Sequence, residues 1–225
     1  MDVYTTTVKF FQEGGLFMYP IAIVMGLGLA IALERWLYLT LTTAKNKALW
    51  NAVTPYLKAG NLAGAVQLTS KSHAAIGQIM TYGLNRVRSA RRREDVEQAM
   101  EESLMEVMPR LEKRTHYLAT FANIATLLGL LGTIVGLISA FTAVATANPA
   151  EKADLLSASI SVAMNTTAFG LIVAIPLLLV HTLLQTKTTE IIDSLEMASV
   201  KFLNTITERA GEAQPAAATA APKKG

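Results

Sequence analysis

The most apolar part of this chain holds few side chains that can do chemistry, and those few are hydroxyls and amides. No Asp, Glu, Lys or Arg occurs in residues 117–150 or 155–186. What remains includes Thr126, Thr133, Ser159, Ser161, Asn165, Thr166, Thr167 and, near one end, His181. Proton relays in a membrane generally use carboxylates or histidines. His181 lies close to the end of its apolar run and reads as an interfacial or structural residue. If ions pass here, a partner must supply the titrating carboxylate. This chain would then supply hydroxyls and a small-residue lining that admits water.

Other chemistries are poorly provided for. The chain has no cysteine, which excludes disulfides, thiolate metal sites and cysteine nucleophiles. Glu101, Glu102 and Glu106 are dense enough to suggest a metal, but no His stands three or four residues on to complete a ligand set. No P-loop, GxSxG or HExxH motif is present. Neither enzyme activity, nor a cofactor, nor a bound metal is expected. Arg91, Arg92 and Arg93 could meet anionic headgroups, but a solvated helix junction is the simpler reading.

The elements that carry these residues follow from the distribution of charge. Only 16% of the 225 residues are charged and mean hydropathy is +0.36. Long charge-free runs alternate with heavily charged ones, as a membrane protein requires. The expected fold is all-α, an integral membrane protein with three transmembrane helices. The second and third are expected to extend into a cytoplasmic helical region. The expected segments are an N-terminal arm over 1–15, a first span over 16–41 and a hydrophilic helical region over 42–116. A second span over 117–147, a short loop over 148–154 and a third span over 155–186 follow. A C-terminal helix over 187–210 and a disordered tail over 211–225 complete the chain. Within the hydrophilic region the first helix is expected to stop at Pro55. A continuous helix is expected to lead into the second span, kinked at Pro109.

Twelve of the 20 Lys and Arg residues lie in 42–116 and five in 187–225. The positive-inside rule then puts both regions in the cytoplasm, and the N-terminus and 148–154 loop outside. The basic balance, pI about 9.1, therefore reads as topology rather than nucleic-acid binding. No cleaved signal peptide is evident, since Asp2, Lys9 and Glu13 precede the first apolar run.

The second and third spans are rich in small residues. Thr126, Gly129, Thr133, Gly136, Ala140 and Ala143 follow one another at three- and four-residue steps, and Gly132 and Gly136 form a GxxxG pair. Ser159, Ala163, Thr166, Gly170 and Ala174 share a face of the third span, with Ser161, Asn165 and Ala168 beside it and Pro176 beyond. Such faces serve close helix packing or line a wet path. Gly129, Gly132, Gly136, Gly170 and Pro176 are the expected packing residues.

Three stretches carry a resemblance. Gly14-Gly15, followed by an apolar run and Glu34-Arg35, looks like the opening of ExbB and TolQ proteins. Residues 118–125 (LATFANIA) with 127–136 (LLGLLGTIVG) resemble the second-span motif of the MotA/TolQ/ExbB proton channel family. Thr167-Ala168-Phe169-Gly170-Leu171 with Ala174-Ile175-Pro176 resembles its third-span motif. The resemblance covers roughly residues 12–205 and is nearest to the ExbB/TolQ branch.

It implies a ring-forming subunit of an ion-driven motor in the bacterial inner membrane. Such subunits form a homopentamer around two copies of a single-span partner of the ExbD/TolR kind, which brings a membrane aspartate. The motor's motion energises a TonB- or TolA-like protein or another load in the envelope. By motif position Thr133 and Thr167 match the family's pore threonines, with Asn165 and Thr166 as added polarity along an ion pathway. The proton is the expected ion, though oxygen ligands also suit sodium. Val162 stands where ExbB and TolQ usually carry a membrane glutamate, and Thr126 where proline is frequent. Three spans argue against the four-span flagellar stator of the MotA type. A membrane scaffold without ion conduction is the alternative from another class.

Overall fold

The computed structural model describes residues 8, 10, 11, 14–87, 89, 90 and 92–218, with side chains as far as Glu208. Its elements are α1 (Met18–Ala59), α2 (Leu62–Ser70), α3 (Ala75–Val87), α4 (Arg93–Glu112), α5 (Thr115–Thr146) and α6 (Lys152–Ala218). No strand occurs among the described residues. Stretches in α1, in Arg93–Thr146 and in α6 are long and apolar enough to cross a membrane. Within the chain only 22%, 22% and 28% of those apolar windows is buried, so most of that surface faces outward. Water would not tolerate this; lipid or neighbouring helices must cover it.

The chain divides into two compact units, residues 1–36 with 114–185 and residues 37–113 with 186–225. In the first, α5 and α6 run antiparallel, and the start of α1 packs on α6. Gly28 lets it approach, because a Cβ there would lie 2.7 Å from Leu177 Cδ2. Beside buried Met18, Ile21, Leu118, Leu177 and Leu184, many of the buried residues are small: Ala122, Ala125, Gly129, Gly132, Ala163, Gly170 and Ala174. Helices in lipid gain little from hydrophobic burial against each other and associate through close van der Waals contact, which small residues allow.

The second unit has an ordinary apolar core. Val53, Leu57, Ile79, Met80, Leu84, Met100, Leu111, Leu195 and Phe202 are buried. α2 packs on α3 and α3 on α4. α1 closes in a Schellman turn: Gly60 takes φ +74°, Gly60 N–H donates to the Leu57 carbonyl and Asn61 N–H to the Tyr56 carbonyl. Asn61 then caps α2 by accepting from Gly64 N–H at 2.9 Å. Buried Asn46, on α1, accepts from Ile76 N–H at 3.2 Å and so serves the start of α3. Asp95 accepts from Arg92 N–H at the start of α4.

Several boundaries differ from expectation. α1 does not stop at Pro55 but carries it internally and runs to Ala59. A single missing N–H is absorbed because the helix is held by buried Leu49, Val53 and Leu57. α4 does pass through Pro109, but no continuous helix enters the second span. Arg114 takes the left-handed conformation, φ +68°, and separates α4 from α5. The loop between the long helices is shorter than expected, since α6 begins at Lys152. The tail expected from residue 211 is helical in backbone to Ala218, while 219–225 lie outside the described residues. Asp2, Lys9, Glu13, Arg88 and Arg91 also lie outside them.

Candidate ion-pathway site

The site is the α5–α6 seam with the turn that precedes α1, all within the first unit. Its depth is set by four glycines, of which Gly129 and Gly170 meet backbone and Gly132 and Gly136 meet side chains. A Cβ at Gly170 would lie 2.7 Å from the Ala125 carbonyl oxygen and 3.1 Å from Gly129 Cα. One at Gly129 would lie 3.2 Å from Thr167 Cα, and one at Gly136 2.9 Å from Ala163 Cβ. At Gly132 it would collide with the Thr166 side chain. At each of these four glycines an added Cβ would be crowded. Pro176 does not join them: it is exposed on α6.

The α6 face is the expected one, with Ala163, Thr166, Gly170 and Ala174 buried. The α5 face is rotated from the expected one. Its buried residues are Leu118, Ala122, Ala125, Gly129, Gly132 and Ala140, while Thr126 is exposed and Thr133 half-buried at the edge.

The four polar candidates fall into different environments. Thr167 Oγ1 donates across the seam to the Gly129 carbonyl at 2.9 Å. Thr133 Oγ1 donates to the Leu130 carbonyl of its own helix at 2.6 Å. Both are half-buried, so each hydroxyl oxygen keeps lone pairs that a visiting donor or cation can use. Asn165 is also half-buried, and its side chain makes no hydrogen bond among the described residues. Thr166 is different. It is 2% exposed, and its one proton is shared between the Gly14 carbonyl at 2.6 Å and the Val162 carbonyl at 2.9 Å.

The Thr166–Gly14 bond brings the N-terminal turn into the site, a feature that periodicity did not reveal. Gly15 takes φ +73°, and a Cβ there would lie 3.1 Å from Val162 Cγ1. An aromatic cluster secures the same segment: Phe169 meets Phe11 edge-on at 5.7 Å and Phe10 at 6.4 Å, and Phe11 meets Tyr19 at 5.6 Å. The Phe10-Phe11 pair beside Gly14-Gly15 was the available signal, but a contact so distant in sequence has no period. The stretch of α6 from Lys152 to Thr166 is ~20 Å long and extends past this turn.

A cavity of about 250 Å³ opens beside the turn, lined by Phe17, Gly136, Ser139, Ser159, Val162 and Thr166 among others. Among the described residues no charged side chain lines it. Val162 lines this mainly apolar cavity beside the hydroxyls of Ser139, Ser159 and Thr166. His181 is half-buried farther along α6. No cluster of three or more potential metal ligands occurs among the described residues.

Three long apolar helices define a multi-pass membrane protein. The model of the MotA/TolQ/ExbB proton channel family matches residues 71–197, and the chain belongs to that family. A Methanothermobacter thermautotrophicus protein named as a homologue of the biopolymer transport protein ExbB is 28% identical over 199 residues, 88% of this chain and 69% of its own length. A Synechocystis protein named as ExbB-like is 31% identical over 181 residues, 77% of this chain and 68% of its own. The biopolymer transport protein ExbB1 of Vibrio cholerae is 47% identical over a shorter stretch of 53 residues, 24% of this chain and 23% of its own.

Proposed function

We propose that this chain is the ring-forming channel subunit of an ion-driven motor, which couples ion motive force to work in the cell envelope. The observation that carries the reading is the charge-free α5–α6 seam with the Thr133 and Thr167 hydroxyls at its edge. Such a seam offers oxygen ligands and close backbone approach but no titrating group. The acid would come from a single-span partner of the ExbD/TolR kind, and Thr133, Thr167 and Asn165 would face it. Thr166, whose proton is committed inside the chain, would hold the lining in place. The names of the relatives point to biopolymer transport as the load. The distribution of Lys and Arg supports an orientation in which residues 42–116 and 187–225 face the cytoplasm of an inner-membrane protein.

The competing reading is a scaffold, in which both hydroxyls merely pack; their backbone bonds favour it. The two are separated by Thr133→Val and Thr167→Val, made singly. The motor reading expects each to abolish partner-dependent ion flux in reconstituted vesicles while the oligomer still assembles. Full flux in both variants would remove the threonines from the pathway.

A further inference from the structure

The second unit carries two grooves of similar size and opposite charge, on opposite flanks of the same helix. One, of about 310 Å³, has Met100, Leu104 and Val200 in its floor and Glu97, Glu101 and Glu196 around it. The other, of about 290 Å³, has Trp50 and Met197 with Lys47 and Lys201, and the hydroxyls of Thr43 and Ser194. Glu101, Glu196, Lys47 and Lys201 are exposed, and Val200 and Met197 are 50% and 57% exposed. Among the described residues none of these five charges takes part in an ion pair.

The last turns of α6 fix the relation between the grooves. At ~100° per residue, Glu196, Ser199, Val200 and Leu203 fall in one arc and Ser194, Met197, Ala198 and Lys201 in another, with centres ~160° apart. Buried Ile191, Leu195 and Phe202 lie between the arcs and face the core. One flank therefore carries carboxylates around an apolar floor, and the other lysines around an aromatic and a methionine.

We propose that these flanks are the two halves of one interface between copies of this chain, the glutamate groove of one seating the Lys47/Lys201 flank of the next. Charge decides the geometry. A two-fold contact would set each flank against itself, carboxylates on carboxylates and lysines on lysines, and like charges so placed are repulsive. A head-to-tail contact sets opposite charges together, and a head-to-tail contact whose rotation closes makes a ring. The inference rests on the ring reading above and adds the surfaces and their direction.

The chain has no cysteine of its own, so introduced thiols report unambiguously. The full-length chain carrying both Glu101→Cys and Lys201→Cys, treated in native membranes with a short bis-maleimide, is expected to give a ladder that ends at the full ring. Either single variant is expected to give no linked dimer. Linked dimers from a single variant, or no ladder from the double variant while native mass spectrometry shows an oligomer, would overturn the proposal. Charge reversal is the second arm. Glu97→Lys with Glu101→Lys and Glu196→Lys, or Lys47→Glu with Lys201→Glu, should each lower ring yield by roughly tenfold or more, and all five together should restore it. Circular dichroism shows whether each variant keeps its helices. Rings that survive both reversals would defeat this interface and leave the ring reading standing; an unaltered chain that is monomeric in its membrane would defeat the ring reading itself.

Discussion

At the scale of single residues, the seam at Gly129 and Gly170 is a contact between backbones, which cannot move aside as a side chain can. Gly170→Ala would place a methyl 2.7 Å from the Ala125 carbonyl oxygen. Relieving that overlap means separating two helices, and overpacking of this kind costs about 1–3 kcal/mol. Gly26 is the contrasting case, since a methyl there would meet nothing within 4 Å. Thermal unfolding in detergent should show a lowered midpoint for Gly170→Ala and none for Gly26→Ala, where the alanine's higher helix propensity acts in the stabilising direction. Thr166 makes a second residue-scale test. Thr166→Val keeps the shape but removes the proton shared by the Gly14 and Val162 carbonyls, a loss of about 0.5–1.5 kcal/mol per hydrogen bond. Amide exchange at Gly15 and Leu16 should quicken in Thr166→Val and return toward normal in Thr166→Ser. Unchanged exchange in Thr166→Val would mean that the aromatic cluster alone holds the turn.

At the scale of elements, the break between α4 and α5 is the feature most open to test. Arg114 adopts φ +68°, a conformation that disfavours any side chain with a Cβ by roughly 1–2 kcal/mol. Its guanidinium lies 3.5 Å from the Glu34 carboxylate, but both groups are about half exposed and such a pair contributes little. Arg114→Gly should therefore leave stability equal or raised, whereas Arg114→Val should lower it, as read by the unfolding midpoint of each variant. Equal destabilisation by both would show that the guanidinium, not the backbone, matters there. The same elements show what sequence made legible. The α6 face was readable because Ala163, Thr166, Gly170 and Ala174 form one helical series bounded by larger residues. The α5 face was not, because Gly129, Gly132 and Gly136 belong to two adjoining series and either reads as a small-residue stripe. Thr126 and Thr133 drew the expected face toward themselves; Ala122, Ala125 and Gly132 decide the real one. The length of α1 was hidden by Pro55 and by polar residues beyond the apolar run. The break at Arg114 had no glycine to announce it.

At the scale of the whole molecule, the outward-facing apolar surface of the three long helices and the absence of charge from the last two spans belong to one account. A chain that buries so little of its apolar surface within itself must meet lipid or other copies of itself. A chain without an intramembrane acid must meet one if it is to move protons. Periodicity and composition made the three spans legible, and the family's motifs singled out the threonines. They could not show the N-terminal turn at Thr166 or the two charged grooves, since both join residues far apart in sequence. Native mass spectrometry of the complex extracted gently from its own membrane tests the central claim most directly. The account predicts five copies of this chain with two copies of a small single-span protein that carries an aspartate in its span. A monomer or dimer that retains no such protein would contradict it.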